Sequence, residues 1–207
     1  MQRFLALVCG LIFLTGCASS PEEPTASSEK LHYTKDASLK IKWRTSIGDG
    51  SKGAYLRIEP EVQDDTIYMA DPSGQVLALN LENGKNLWTS KLKETITAGV
   101  TVTPSCLLVT TQNGFLHCLS PDNGASVWTA KLSSEAVSTP AADDRQVFVH
   151  TVDGRVTSFD LSAGQQVWSY ESAMPVLTVR GTGAPLVLDQ LVIIGFATGK
   201  VVALDKP

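Results

Sequence analysis

Short runs of apolar and polar residues recur along the chain from about residue 41, and a glycine turn separates each run from the next. The runs at residues 106–111, 115–120 and 125–132 are rich in Val, Leu, Thr and aromatic residues. Asn-Gly or Asp-Gly pairs stand between such runs, which is typical of strands joined by tight hairpins. No helical periodicity extends over the length of a helix in this region. The pattern predicts an all-β domain.

The runs belong to a repeat. Trp88, Trp128 and Trp168 lie 40 residues apart. Each follows a turn glycine at the same distance, and these glycines are Gly84, Gly124 and Gly164. A strand at residues 137–140 brings the unit to four strands. Four antiparallel strands in about 40 residues predict one blade of a β-propeller.

The repeated tryptophans have a structural interpretation. A single blade cannot bury both of its faces, so a large flat side chain at a fixed place can wedge between neighbouring blades. We therefore expect Trp88, Trp128 and Trp168, with their turn glycines, to dock one blade on the next. A platform for substrate is the less favoured alternative.

The repeats fill residues 40–207, which is about four blades. Trp43 marks the tail of an earlier unit, and a partial last unit begins at Gly199. This last unit stops before its tryptophan strand, so we expect the chain to be the N-terminal part of a longer protein. The alternative is a closed four-bladed ring in which the Trp43 strand completes the last blade.

The first 16 residues are predicted to be a signal peptide. Arg3 precedes an apolar run that is too short to span a membrane. The run ends in Leu-Thr-Gly-Cys at residues 14–17, which resembles a bacterial lipobox. The resemblance implies a lipid on Cys17 and sorting to the outer membrane, whereas a plain secretory signal is the alternative. Residues 17–39 are rich in Ser, Pro, Glu and Thr and are predicted to form a flexible tether.

Two further cysteines, Cys106 and Cys118, lie in adjacent predicted strands. A hairpin centred on Asn113 places them on one face but diagonally, where Cα atoms are about 7–8 Å apart. That separation is too long for easy bridging. Buried free thiols are therefore the favoured interpretation, and a disulfide is the alternative.

The composition and motifs give little indication of nucleic-acid binding, catalysis or metal binding. The formal net charge of −4 and the lack of a basic cluster argue against nucleic-acid binding. His32, His117 and His150 occupy unrelated places in the repeat, and no Gly-x-Ser-x-Gly or Cys-x-x-Cys motif is present. We therefore predict no catalytic residues, no metal site and no cofactor.

The repeat motif, Ala-x-(Asn/Asp)-x-x-(Asn/Ala)-Gly-x-x-x-Trp, resembles the tryptophan-docking repeat of quinoprotein propellers. Together with the lipobox, the whole chain resembles the BamB family of outer-membrane lipoproteins. The resemblance implies an eight-bladed propeller of which this chain is roughly the first half. It also implies a non-catalytic scaffold of the β-barrel assembly (Bam) complex that binds BamA and helps insert barrel proteins, and unfolded barrel proteins are possible further partners.

The same resemblance points to a binding loop. The spacing from Trp168 to Pro185 is 17 residues, whereas it is 12 from Trp128 to Pro140. Inserted residues in a regular repeat often carry binding surface. In the longer spacing, Leu177, Val179 and Arg180 resemble the Leu-x-Leu-Arg-Gly loop by which BamB proteins contact BamA, with Val in place of the second Leu.

The expected location is the outer membrane, with the protein anchored by lipid and facing the periplasm. The alternative function is a periplasmic quinoprotein dehydrogenase dependent on pyrroloquinoline quinone. That enzyme would need a calcium site and charged groups along the central funnel, which this part of the chain does not show.

Overall fold

In a computed structural model of the chain, residues 38–48, 50, 58–173 and 181–206 are described. Residues 41 to 207 fall into one compact unit. All the regular structure within the described ranges is β-strand. No helix in these ranges is long and apolar enough to cross a membrane.

Fifteen strands of the described ranges form four antiparallel sheets, which are numbered here as blades one to four. Blade one contains β1 (Glu61–Gln63), β2 (Thr66–Ala70), β3 (Gln75–Asn80) and β4 (Asn86–Lys91). Blade two contains β5 (Ile96–Val102), β6 (Leu107–Thr111), β7 (Phe115–Leu119) and β8 (Ser126–Lys131). Blade three contains β9 (Ala141–Ala142), β10 (Gln146–His150), β11 (Arg155–Asp160) and β12 (Gln166–Glu171). Blade four contains β13 (Leu186–Val187), β14 (Leu191–Gly195) and β15 (Val201–Asp205).

Within every blade the strands pair in chain order, so each sheet is a simple meander. The predicted all-β fold of four-stranded propeller blades is confirmed, and the chain forms part of a propeller. Blade four contains three strands among the described residues.

The innermost strands differ from the prediction. Residues 137–140 were expected to form the first strand of blade three, but β9 begins after them at Ala141. Proline explains the shift, because it has no N–H to give to a ladder. Pro60, Pro140 and Pro185 each stand immediately before an inner strand. Val100 takes that place in blade two, where β5 spans it, although the pairing of β5 with β6 shifts register between Ala98 and Thr101.

The hydrophobic core lies between consecutive blades. Three clusters of buried residues join blade one to two, two to three and three to four. Leu107, Leu119 and Phe148 are among the largest side chains that are fully buried in these clusters. Burying one such side chain contributes about 1.5–3 kcal/mol, so the interfaces between blades supply the main stabilising term.

Cys106 and Cys118 form a disulfide inside blade two. Both residues are buried as predicted, but the favoured prediction of free thiols is wrong. The predicted register is correct, because Leu108 stands opposite Cys118 and Cys106 is therefore diagonal to it. The Cα atoms are nevertheless 5.3 Å apart. Cys106 precedes β6 in a turn closed by Thr103, so the spacing of a regular ladder does not apply to it.

The disulfide predicts a measurable loss of stability on its removal. A cross-link between residues 12 apart in sequence restricts the unfolded chain, which is worth about 3 kcal/mol. Urea unfolding of the Cys106→Ala/Cys118→Ala variant should show a free energy of unfolding lower by about this amount. Unfolding of the unmodified protein should also shift to lower urea when a reductant is present, whereas the variant should not respond. A reductant-insensitive unmodified protein would mean that the thiols are free.

Candidate functional site

The contact between blades one and two shows how the repeated residues work. The N–H of Gly124 donates to the carbonyl of Ser120 at 2.8 Å and closes the turn between β7 and β8. Gly124 has a φ of +70°, which favours glycine. The Nε1 of Trp88 donates to the carbonyl of Pro121 in the same turn at 2.8 Å. A Cβ on Gly124 would come within 2.6 Å of the Trp88 ring, so the glycine is needed both for its backbone and for its lack of a side chain.

The same docking contact occurs at two more places. Trp43 donates to the carbonyl of Leu81 at 2.9 Å and covers Gly84. Trp128 donates to the carbonyl of Leu161 at 2.9 Å and covers Gly164. Of the residues predicted to dock the blades, Trp88, Trp128, Gly84, Gly124 and Gly164 lie in these contacts. Each of the three tryptophans contacts the blade that follows it in sequence.

Each tryptophan of a complete blade also has a small partner on the neighbouring strand. Ala78 stands opposite Trp88, Cys118 opposite Trp128, and Ser158 opposite Trp168. The pairing register shifts directly after each of these small residues. A large residue at the small position would contact the indole across the ladder. The repeat therefore constrains the residues on both sides of the indole ring, which are the turn glycine of the next blade and the small residue on the neighbouring strand.

Trp168 departs from this pattern. Its Nε1 is buried and has no hydrogen-bond partner within the described part of the chain. By analogy with Pro121 and Leu161, the matching acceptor is the carbonyl of Lys206. The backbone N–H of Lys206 donates to Gln190, as those of Leu81 and Leu161 donate to their own neighbours in the docked turns, and its Nζ lies 2.7 Å from Oδ2 of Asp143. The Lys206 ammonium and the backbone N–H groups of the Asp143 turn lower the pKa of Asp143 although partial burial opposes them.

The connection between blades three and four is anchored where it returns to the described structure. Thr182 donates its hydroxyl to Ser138 at 3.0 Å. The Nδ1 of His150 lies 3.2 Å from the carbonyl of Gly183, and the His150 ring packs against Phe196 in an edge-on arrangement. Ser138, which precedes β9, and His150 of β10 thus fix the stem of the longest connection between blades.

The protonation of His150 follows from its partners. A carbonyl oxygen can only accept, so Nδ1 carries the proton of the neutral ring. Burial lowers the pKa of His150, and the Gly183 carbonyl and the Asp153 carboxylate offset this only in part. His150 is therefore a neutral hydrogen-bond donor at neutral pH, and it is suited to positioning the stem.

A second histidine lies inside blade two. Nε2 of His117 is 3.7 Å from Oε1 of Glu94, and Nδ1 is 3.1 Å from the hydroxyl of Thr129. Glu94 also accepts from the hydroxyl of Thr111 at 2.6 Å. Burial lowers the pKa of His117 despite the attraction of Glu94. Within the described ranges, no group of three or more His, Cys, Asp or Glu side chains could hold a metal ion.

Only some of the predicted site residues lie within the described part of the chain. Leu177, Val179, Arg180 and Cys17 lie outside the described residues. Sequence analysis missed Ser138, His150 and Thr182, which hold the stem of the connection. One signal was available: His150 occupies the place of Ala70 and Thr110 in the other repeats, next to the longer spacing.

Comparison with known proteins identifies a family whose members match the repeats that contain the docking contacts. The sequence model described as outer membrane protein assembly factor BamB matches residues 72–206, which include the docking turns of blades one to three. The chain belongs to the BamB family.

A BamB relative from Pseudomonas aeruginosa is 46% identical over 203 residues, covering 98% of this chain and 53% of its own length. The crystal structure of BamB from Moraxella catarrhalis is 32% identical with a TM-score of 0.67, and the match covers 72% of this chain and 45% of that one. The chain thus spans about half the length of these BamB relatives. The computationally designed protein Ika4 shares the fold at 15% identity, with a TM-score of 0.63 over 77% of this chain and 99% of its own.

The docking geometry predicts that Gly124→Ala is more harmful than the same change in an open turn. Gly124 and Gly199 both have positive φ, and a Cβ on Gly199 would meet nothing within 4 Å. Both variants incur the backbone cost, but only Gly124→Ala forces Trp88 away. Its loss of unfolding free energy should exceed that of Gly199→Ala by about 1–3 kcal/mol, measured by urea unfolding. Equal losses would show that the indole contact has no part in the effect.

The indole hydrogen bond predicts a difference between two tryptophans. Trp88→Phe keeps an aromatic ring but leaves the Pro121 carbonyl without its donor. Trp168→Phe removes a similar ring area but no hydrogen bond to any described residue. We expect Trp88→Phe to lower the free energy of unfolding by about 1–3 kcal/mol more than Trp168→Phe. A larger loss for Trp168→Phe would contradict this reading of the docking contact.

Proposed function

We propose that this chain is part of a non-catalytic lipoprotein scaffold of the Bam complex, which binds BamA and assists the insertion of β-barrel proteins into the outer membrane. The observation that carries the proposal is the tryptophan-docked propeller, matched over residues 72–206 by the family described as an outer membrane protein assembly factor. Relatives that match nearly the whole chain carry the same name.

The use of polar groups in the blades supports a scaffold. The indole N–H groups of Trp88 and Trp128 and the carbonyls of their turns are engaged with one another. The repeated residues therefore form the framework of the propeller. The connections between blades are left as the surface that contacts a partner. The connection from β12 to β13 is longer than those from β4 to β5 and from β8 to β9.

We assign the contact with BamA to Leu177, Val179 and Arg180 in this connection. The firm anchoring of its stem by Ser138 and His150 supports the assignment, because a fixed stem lowers the entropic cost of binding. Apolar groups beside an arginine also suit a protein interface.

The membrane attachment in this proposal comes from a lipid on Cys17. Residues 17–39 then tether the propeller to the outer membrane on its periplasmic side. A single acyl chain binds a membrane only marginally, so more than one chain on the lipidated N-terminus would be needed for a stable anchor. The net charge of −4 makes binding through a basic face a weaker alternative.

Unfolded barrel proteins are the substrates in this scheme. The outer strands β4, β8 and β12 are edge strands of their sheets. Each displays one exposed aliphatic side chain at the same place in the repeat, namely Leu87, Val127 and Val167, which are 54%, 54% and 47% exposed. Such an edge can accept an extended segment by strand addition.

The proposal predicts that two substitutions in the long connection abolish complex formation. The tagged protein and its Leu177→Ala/Arg180→Ala variant would each be captured from detergent-solubilised outer membranes. The Bam complex should co-purify with the unmodified protein and be lost from the variant, because both the apolar and the charged contact are removed.

A matched control is Leu188→Ala/Arg145→Ala, which removes the same two residue types at exposed positions outside the long connection and the outer strands. It should retain the complex, and circular dichroism should show that all three proteins are folded. Absence of the complex from the unmodified protein would overturn the functional proposal. Retention by the Leu177/Arg180 variant would overturn only the assignment of the loop.

A further inference from the structure

The disulfide of blade two lies in the interface with blade three. Cys106 and Cys118 are 0% and 1% exposed, and both belong to the buried cluster that joins these two blades. Val149 and Phe159 of blade three are members of the same cluster. Leu119, the next residue along β7, points to the opposite face of the sheet and belongs to the cluster shared with blade one. The two sulfurs therefore face blade three, and they are closed off from solvent once that blade has docked.

The two cysteines are brought together by blade two alone. They are 12 residues apart in sequence, and β6 and β7, which carry most of the residues between them, pair directly. Cys106 is also held in a turn, since its carbonyl accepts from the backbone N–H of Thr103 at 2.8 Å. A β-hairpin forms in about 1–10 μs. The hairpin therefore presents both thiols on one open face before blade three is in place.

Closing the disulfide needs room for an oxidant. One thiolate of the chain attacks a disulfide of the oxidant, forms a mixed disulfide and releases one oxidant sulfur as a thiolate. The second chain thiolate attacks the chain sulfur of the mixed disulfide, which closes the Cys106–Cys118 bond and releases the other oxidant sulfur. Two electrons and two protons leave the chain, and the oxidant ends as two thiols. A mixed disulfide carries the whole oxidant on one cysteine, so it does not fit beneath a docked blade.

Docking of blade three competes with this chemistry in time. Trp128 finds its acceptor at Leu161, 33 residues later in the sequence. Contacts of low sequence separation form rapidly, and β-rich domains fold in milliseconds to seconds. Disulfide formation takes seconds to hours, depending on the oxidant. A slow oxidant would therefore leave two thiols sealed within the interface.

We propose that the chain is a substrate of a protein dithiol oxidase, which closes the Cys106–Cys118 disulfide before blade three docks on blade two. The oxidase presents a reactive disulfide and takes up the two electrons and two protons that the chain loses. Structural disulfides persist in compartments that are kept oxidising by such a supply. The step is independent of any contact with BamA, so it can be tested separately from the proposed function.

The first measurement tests whether blade three encloses the disulfide. A chain with Cys9→Ser and Cys17→Ser keeps only this pair, and the folded protein is treated with dithiothreitol in a non-ionic detergent. Free thiols are counted on a gel after reaction with a polymer-tagged maleimide. Reduction should be about tenfold faster when Phe159→Leu is added, because this substitution loosens the packing of the cluster that contains the sulfurs.

Phe148→Leu is the matched control. Phe148 is a similarly buried phenylalanine of blade three, but it belongs to the cluster shared with blade four. Its substitution should change the rate of reduction by less than about twofold. Equal acceleration by both substitutions would overturn the proposal, because the interface with blade three would then not be what closes off the sulfurs.

The second measurement tests the oxidant. The reduced and denatured chain is diluted into folding buffer that contains either oxidised glutathione or a purified dithiol oxidase with a Cys-x-x-Cys disulfide. The oxidase should close the disulfide in nearly all chains when it is present from the start. It should act about tenfold more slowly when it is added after tryptophan fluorescence has become constant. Glutathione present from the start should leave most chains with free thiols.

Two results of the second measurement would contradict the proposal. Equal yields from glutathione and from the oxidase, both present at the start, would show that no protein catalyst is needed. Equal rates after early and late addition of the oxidase would show that the thiols stay open without the bond, so that no order is imposed.

Discussion

Each docked indole lies against the Cα of a turn glycine in the next blade, and its N–H is bonded to a carbonyl of the same turn. This contact requires a positive φ and the absence of a Cβ at the turn, and for Trp88 and Trp128 a small residue also stands across the ladder from the ring. Because all these conditions are local to one repeat, they recur whenever the repeat does. The buried aliphatic clusters then fill the space that the docked indoles define. The stability of the propeller is therefore distributed over nearly equivalent interfaces rather than one central core.

The repeat made much of this fold predictable. The strands, the docking tryptophans and their turn glycines all follow from a 40-residue period, since periodicity reports residues that have the same environment. Departures from regular strand geometry were harder to predict from the sequence. The register between β6 and β7 was predicted correctly, but the distance between Cys106 and Cys118 was not, because Cys106 sits in a turn outside the ladder. The inner strand of blade three likewise begins after Pro140 and not at residues 137–140, where the repeat predicts it.

The stem of the connection between blades three and four was not predictable from the pattern. Ser138 precedes β9 and His150 lies in β10, whereas Thr182 and Gly183 follow the inserted residues. Their contact depends on how the chain returns after an irregular segment, and no periodicity describes that path. His150 differs from the residues at its equivalent places, but one such difference does not identify a partner. Residues that serve a single connection leave a weaker trace in the sequence than residues that serve every blade.

The direction of docking has a consequence for how the chain acquires its structure. Trp88 and Trp128 each find their acceptor 33 residues later in the sequence, so no interface between these blades depends on distant parts of the chain. Low sequence separation favours rapid formation. A blade that has just been synthesised offers its indole to the segment that emerges next, and the growing propeller always exposes its newest face. Assembly can thus proceed in one direction, with each finished blade serving as the template for its successor.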